Sequence, residues 1–434
     1  MVFLSICQVV VDGGFNTALI QKKDTDNVDF STIFYFCLSM AFVVYWLLFF
    51  SSTRIASFFN QPELIPVIRV LSLLLFFYAF NAIQYSYVAK NMLFRKLFYC
   101  SLISVLLSGC CGIFLAYEGF GVWALVAQIL LNQLFLTILM FSVIKWRPVF
   151  RFSKQKLYKL LDYGWKIFTT NIVVSLFVNI RKVIIGKYFT PASLAFFEKG
   201  SQFPDLIMGN INSSIQAIMF PVFSKEQDDR ALVKKMVRRA IKTSCFAIYP
   251  LTMLLVVSAH PLILLLLTEK WLPVVPFLQI LCLSNLFRPM TLINFEAIKA
   301  LGYSNITLKL EIIKKIVDVV ILVFSLLWGL YAIAWGVVLY DFICVFINLF
   351  PNKKLLDYGI LDQLKDTIPI MLITISVGLI VYWIQFLNIS VFFIITLQFF
   401  IGSLLYLSFC YIIKDESFMY VSKLLANFVT NKRK

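Results

Sequence analysis

Three cations and several amides stand where their presence has to be explained. Arg181, Lys182 and Arg288 fall inside long apolar stretches. A charge at the centre of a membrane helix costs at least ~2.5–3.5 kcal/mol, so each needs a reason. Asn171, Ser175, Asn179 and Lys182 follow at spacings of four, four and three, which share one helical face. Arg181 is turned about 100° from Lys182. Asn285 and Arg288 are one turn apart with Glu296 further along the same face, and Gly209, Asn212 and Gln216 make another stripe. A guanidinium suits oxyanions, binding them through two parallel hydrogen bonds, and the amides suit hydroxyls or water. Plainer readings stand beside these. Arg181 and Lys182 lie toward a helix end and can snorkel to the interface, and the amides can simply join helices. Asp12, Asp318 and Asp341 are acids in apolar stretches and candidate proton or ion sites, with Asp318 nearer a helix end, where a structural role is commoner.

Little else in the chain could do chemistry. Asp24-Thr-Asp26 has the DxD spacing of glycosyltransferases, but it sits in a ten-residue loop with no sugar-nucleotide domain. The single His260 precedes Pro261 inside an apolar run, where a packed or kink-associated role is commoner than a proton relay. Almost all of the nine cysteines lie inside apolar runs, without a CxxC pair, and read as small hydrophobes. The expectation is a protein that is not an enzyme and carries neither metal nor cofactor.

The elements that position these residues are membrane helices. Of the 434 residues, 61% are hydrophobic and 14% charged, and the mean hydropathy is +0.88. A soluble chain of this length could not cover its surface with so few polar groups, so the fold class is an all-α polytopic membrane protein. Apolar windows predict twelve complete spans at 31–52, 65–89, 98–117, 122–144, 167–189, 205–224, 241–268, 274–298, 312–329, 331–350, 367–387 and 390–413. Residues 1–20 make a thirteenth, interrupted by Asp12 and Gly13-Gly14. The glycines can kink that helix or let a neighbour pack closely, and Asp12 is either a cavity group or the partner of a cation on another helix.

The net charge of +17 would suit nucleic acid if it were spread over one surface. Instead, assigning loops alternately to two sides puts 31 of the 39 Lys and Arg residues on one side and five on the other. This is the positive-inside pattern. The basic side, with the C-terminus, is expected in the cytoplasm, and anionic membrane lipid rather than nucleic acid is the expected contact.

A repeat is also legible. Pro66-Val-Ile-Arg-Val-Leu-Ser-Leu73 resembles Pro276-Phe-Leu-Gln-Ile-Leu-Cys-Leu283 at an offset of 210, and Gly121-Val-Trp-Ala-Leu125 resembles Gly329-Leu-Tyr-Ala-Ile333 at 208. Parallel repeats are a common transporter architecture with the substrate path at their interface. An offset near 209 places the partner of span 167–189 before Met1, so the first helix of the first repeat is expected to be missing. The expected divisions are 1–144 (helices 2–6), 145–350 (helices 7–12) and 351–434 (two additional helices and a tail). Segments 153–163 and 354–365, with LLDYG at 160–164 and again at 355–359, are expected to lie on the cytoplasmic surface and link the bundles.

The segments VDGGFNTALIQKKD, FFNQPELIPVIRVLSL, GNINSSIQAIMFPVFSKEQDD, LLLLLTEKWLPVVPFLQILCL, AIKALG and LKLEIIKK resemble the Wzx-type polysaccharide flippases, in the branch of colanic- and teichuronic-acid exporters. The resemblance implies the MATE-like fold of the multidrug/oligosaccharidyl-lipid/polysaccharide exporters, with two six-helix lobes around a V-shaped cavity. It implies a flippase of the bacterial inner membrane serving lipopolysaccharide or other surface polysaccharide biosynthesis. The implied substrate is an oligosaccharide on undecaprenyl diphosphate, with a proton or sodium gradient as a candidate driving force. A polysaccharide polymerase and other assembly proteins are the implied partners. On that reading Arg181, Lys182 and Arg288 contact the diphosphate, and Asn171, Asn179, Asn212, Gln216 and Asn285 contact sugar or water. Asp12 and Asp341 are the candidate ion-coupling groups. Two alternatives are a MATE-type exporter of small cations, which cationic cavity residues disfavour, and a polysaccharide polymerase or ligase. The latter enzymes usually carry a large external loop, which this chain lacks.

Overall fold

The computed structural model describes residues 2–12, 19, 25–387, 389–420 and 422–423. Within these, the side chains of residues 2, 159–167, 170, 210, 212–214, 216–218, 220–221 and 304 fall outside the description. Gly13-Gly14 likewise lies outside the described residues. Every regular element among the described residues is helical, as expected for a chain that must satisfy its own backbone groups in hydrocarbon.

The chain divides into two compact units, Met1–Tyr188 and Phe189–Lys434. The first holds α1 (Val2–Asp12), α2 (Asn27–Phe59), α3 (Leu64–Leu71), α4 (Leu74–Lys90), α5 (Phe94–Tyr117), α6 (Val122–Val143) and α7 (Lys154–Tyr188). Helix α2 starts in a capping box: Asp26 accepts from the Asp29 amide at 2.8 Å, and Asp29 accepts from the Asp26 amide at 3.1 Å. It ends where Asn60 turns left-handed. Ile33, Phe34, Leu74, Ile83, Met140 and Trp146 pack in one apolar core. Helix α7 lies against α1 and α2. It runs unbroken from Lys154, so segment 153–163 is continuous with the expected span 167–189 rather than a separate helix.

The second unit holds α8 (Pro191–Lys225), α9 (Arg230–Val257), α10 (Ala259–Leu266), α11 (Val274–Ser284), α12 (Arg288–Ala300), α13 (Ser304–Leu326), α14 (Leu330–Leu356), α15 (Ile360–Tyr382) and α16 (Val391–Ile412). Segment 354–365 is split among the end of α14, the turn at Asp357–Gly359 and the start of α15.

Among the described residues, nine helical stretches are long and apolar enough to cross a membrane. The three other expected complete spans are α7, α8 and α13; Lys314, Lys315 and Asp318 interrupt the run in α13, while α7 and α8 include residues outside the description. Large apolar side chains stand exposed on the outside of the units, among them Leu106, Phe114, Phe324 and Trp335. Such a surface is stable against lipid and costly against water.

The repeat has a backbone counterpart. Span 65–89 is broken at Ser72-Leu73 between α3 and α4, and span 274–298 is broken at Asn285–Phe287 between α11 and α12. Helices α6 and α14 each begin after a glycine with positive φ, Gly121 at 53° and Gly329 at 95°. A side chain would strain either turn, which explains glycine at both repeat-related sites.

Candidate functional site

The break between α11 and α12 is written in the sequence Asn285-Leu-Phe-Arg-Pro289. Pro289 has no N–H to give, so it fits the first turn of a new helix and not the middle of a continuous one. Three short-range bonds close the turn: Asn285, Leu286 and Phe287 donate to the carbonyls of Cys282, Leu283 and Ser284. The Leu286 carbonyl accepts from the Tyr249 hydroxyl of α9 at 3.1 Å. A backbone group released by the break is thereby satisfied within the protein, as hydrocarbon demands.

Arg288 is the first residue beyond that break. Its Nη1 donates to Asp205 Oδ1 of α8 at 3.3 Å, and its Nε donates to Asp341 Oδ2 of α14 at 3.4 Å. Both α8 and α14 pack along the two halves of the broken span, so the carboxylates flank the break from two helices. Their side-chain exposures are 59% for Asp205 and 14% for Asp341, with Arg288 at 30%. The contacts are long for charge-assisted hydrogen bonds, which centre near 2.7–2.9 Å. Two carboxylates thus neutralise the guanidinium loosely in a partly open setting, and an incoming oxyanion can compete for it.

The structure brings two sequence candidates together here, Arg288 and Asp341. Asn285 lies at the same break but is fully enclosed, and neither polar atom of its side chain has a hydrogen-bond partner. Contact between Asn285 and a ligand would require the break to open. Asp205 was missed in the sequence because it begins a predicted span, where an acid reads as an interfacial residue.

The remaining candidates are dispersed. Arg181 and Lys182 are half-buried on α7 in the first unit, and each engages neighbouring groups. Asn179 is buried and donates to the Ser175 carbonyl of its own helix at 2.9 Å, while Asn171 is exposed. Asn212 and Gln216 lie on α8, with side chains outside the described residues. Asp12 is half-buried at the end of α1 and is hydrogen-bonded by Gln8 one turn earlier.

A buried amide cluster beneath the break also escaped the sequence reading. Asn294 and Gln363 exchange hydrogen bonds at 2.9 and 3.0 Å, and Asn352 donates to Asn294 Oδ1 at 2.6 Å. Asn348 donates to the Thr291 carbonyl at 2.8 Å. These bonds tie α12 to α14 and α15 and hold Arg288 on a fixed base. The i, i+4 spacing of Asn348 and Asn352 was the available signal.

With this geometry in place, likeness to known proteins becomes informative. The family model described as "Polysaccharide biosynthesis protein" matches residues 1–276, well over half of the chain. The chain belongs to that family. Polysaccharide biosynthesis proteins similar to it include the teichuronic acid biosynthesis protein TuaB of Bacillus subtilis, 27% identical over 69% of this chain and 62% of that one. The lipopolysaccharide biosynthesis protein WzxC of Escherichia coli is 23% identical over 66% of this chain and 59% of its own. The succinoglycan biosynthesis transport protein ExoT of Rhizobium meliloti is 24% identical over 63% and 55%. The matched region therefore spans less than two thirds of each of these relatives. Among solved structures, the lipid II flippase MurJ in an inward closed conformation superposes with a TM-score of 0.75 at 18% identity, covering 95% of this chain and 91% of that one. A MATE-family multidrug resistance transporter superposes at 0.62 and 13% identity over 82% and 88%. The family member described here has the MurJ/MATE-like fold.

Proposed function

We propose that this chain is a flippase that carries undecaprenyl-diphosphate-linked oligosaccharide across the cytoplasmic membrane by alternating access, for cell-surface polysaccharide synthesis. It acts as a transporter and not as an enzyme. The observation that carries the reading is Arg288, a cation at a break in a membrane span, loosely shared by Asp205 and Asp341. Family membership and a fold shared with a lipid II flippase support the cargo class.

In the absence of cargo the two carboxylates offset the cost of Arg288 at membrane depth. An arriving diphosphate takes the guanidinium bidentately and releases one or both acids. The freed acid, Asp341 above all because it is the less exposed, becomes free to take a proton or cation, which makes it the coupling group. Arg181 and Lys182 are further candidate diphosphate contacts, Asn171, Asn179, Asn212 and Gln216 are candidate sugar or water contacts, Asn285 becomes one only when the break opens, and Asp12 is a second coupling candidate. Residues 1–144 and 145–350 are the two lobes, 351–434 adds two helices, and the C-terminus is cytoplasmic. Polysaccharide polymerase and other assembly proteins are the partners downstream.

Deletion of the gene in its own bacterium tests the proposal. The expected result is loss of surface polysaccharide with accumulation of lipid-linked oligosaccharide that a glycosidase added outside the cell cannot reach. Unchanged surface polysaccharide, or accumulation on the outer leaflet, would overturn it.

A further inference from the structure

A second cationic cavity lies far along the sequence from Arg288, where the first turns of α9 meet the segment that follows α16. It has a volume of about 170 Å³ and is lined by Lys235, Arg238, Arg239, Lys242, Glu416 and Ser417, together with Thr243 and Tyr420. A bound water needs only ~10–15 Å³ of such space, so a tetrahedral oxyanion with its hydration fits.

The charges around it do not balance. Arg238 is committed to Asp366 through two hydrogen bonds of 2.8 and 2.7 Å, and Lys242 bonds Glu416 at 2.6 Å. Among the described residues Lys235 and Arg239 enter no ion pair; Arg239 lies over the Tyr420 ring at 4.6 Å. Four cations thus face two carboxylates, which leaves two positive charges at the cavity.

Two hydroxyls in the lining are also without partners. Ser417 is only 3% exposed, and its Oγ is buried with no hydrogen-bond partner, as is Thr243 Oγ1. A buried hydroxyl left unbonded costs ~1–3 kcal/mol, so a ligand that accepts from both would recover that cost. The wall that carries Ser417 is held in place: Lys414 turns left-handed at φ 56°, and Asp415 Oδ1 accepts from the amides of Ser417 and Phe418 at 2.8 and 3.1 Å. Just before this turn Tyr411, Ile412 and Ile413 are exposed, so the apolar outer face of α16 ends at the cavity mouth.

We infer that this cavity binds a phosphate group, supplied by the headgroup of an anionic phospholipid lying along α16 or by free inorganic phosphate. Two uncommitted cations, two unsatisfied hydroxyl donors and enclosure on several sides match an oxyanion of one to two negative charges. This site is separate from the Arg288 break, so its test is independent of the proposed transport.

The experiment uses the full chain purified in an uncharged detergent, with binding measured calorimetrically. The probes are dioctanoyl phosphatidylglycerol, inorganic phosphate and dioctanoylglycerol, which has the same tails and no phosphate. Saturable binding of phosphatidylglycerol, tighter than that of phosphate, identifies the lipid source. Phosphate binding as tightly and competing identifies the free ion, and either result upholds the site. The Lys235→Gln/Arg239→Gln variant is expected to bind at least tenfold more weakly. Lys235→Arg/Arg239→Lys should stay within about threefold of the wild type, which separates charge from folding. Ser417→Ala, with every charge retained, should bind several-fold more weakly. Failure of both phosphate probes to bind saturably would overturn the inference. So would wild-type affinity in Lys235→Gln/Arg239→Gln, or dioctanoylglycerol binding as well as phosphatidylglycerol.

Discussion

The guanidinium of Arg288 meets the carboxylate of Asp341 at 3.4 Å, joining the first residue of α12 to the midpoint of α14. The contact is too long to be a strong hydrogen bond and too close to be incidental. It fits a pair that has to form and separate.

That pair sets the first prediction. Asp341→Asn leaves Arg288 with Asp205 alone and should lower stability by ~1–3 kcal/mol, less than the ~3–5 kcal/mol typical when a fully buried pair is broken, because Arg288 is 30% exposed. A cycle with Arg288→Ala, Asp341→Asn and the double variant, followed by thermal unfolding in detergent, should give a coupling of at least ~0.5 kcal/mol. Purely additive effects would show that the two side chains do not interact.

Close packing of α8 on α11 gives the second. A Cβ on Gly200 would come within 2.6 Å of Phe277 Cβ and 3.0 Å of the Leu278 amide nitrogen, with no flexible atom to yield. Gly200→Ala is expected to destabilise by ~1–3 kcal/mol. Gly209, on the same helix, has nothing within 4 Å of its added Cβ, and Gly209→Ala should be neutral or stabilising by up to ~1 kcal/mol. Equal melting temperatures for the two variants would contradict this packing.

A third prediction concerns acid. The Lys156 ammonium bonded to Asp26, helped by the Asp29 amide, pulls the Asp26 carboxyl from its ordinary 3.8 down to about 2. A carboxyl with a depressed folded-state pKa stabilises above its unfolded value and loses that contribution as pH falls through the folded one. The link from α2 to the start of α7 is therefore intact above pH ~4 and lost toward pH 2. Thermal midpoints of the wild type and Asp26→Asn should differ at pH 5 and converge near pH 2. A constant difference across that range would rule out the carboxylate as the cause.

The fold was largely legible because membrane helices announce themselves by length and apolarity, and the offset glycines Gly121 and Gly329 marked the repeat. The breaks inside spans were harder. Pro289 at the first turn of α12 signals one, whereas Ser72-Leu73 carries no breaker residue and reads as continuous helix. Arg288 and Asp341 stood out because charge at membrane depth is rare, and nothing in their spacing of 53 residues showed that they meet. Asp205 was hidden by its place at a span boundary. The Asn294, Asn352 and Gln363 cluster was hidden because it pairs amides from three helices, and only the i, i+4 spacing of Asn348 and Asn352 on α14 hinted at it.

The most direct test of the account is translocation itself. The full chain is reconstituted in vesicles with undecaprenyl-diphosphate-linked oligosaccharide, and arrival at the far leaflet is followed by lectin accessibility. The account predicts that the wild-type protein exposes the glycan and that Arg288→Ala, incorporated at equal level, does so at least tenfold more slowly. Equal rates for the two proteins, or no translocation by the wild type, would contradict it.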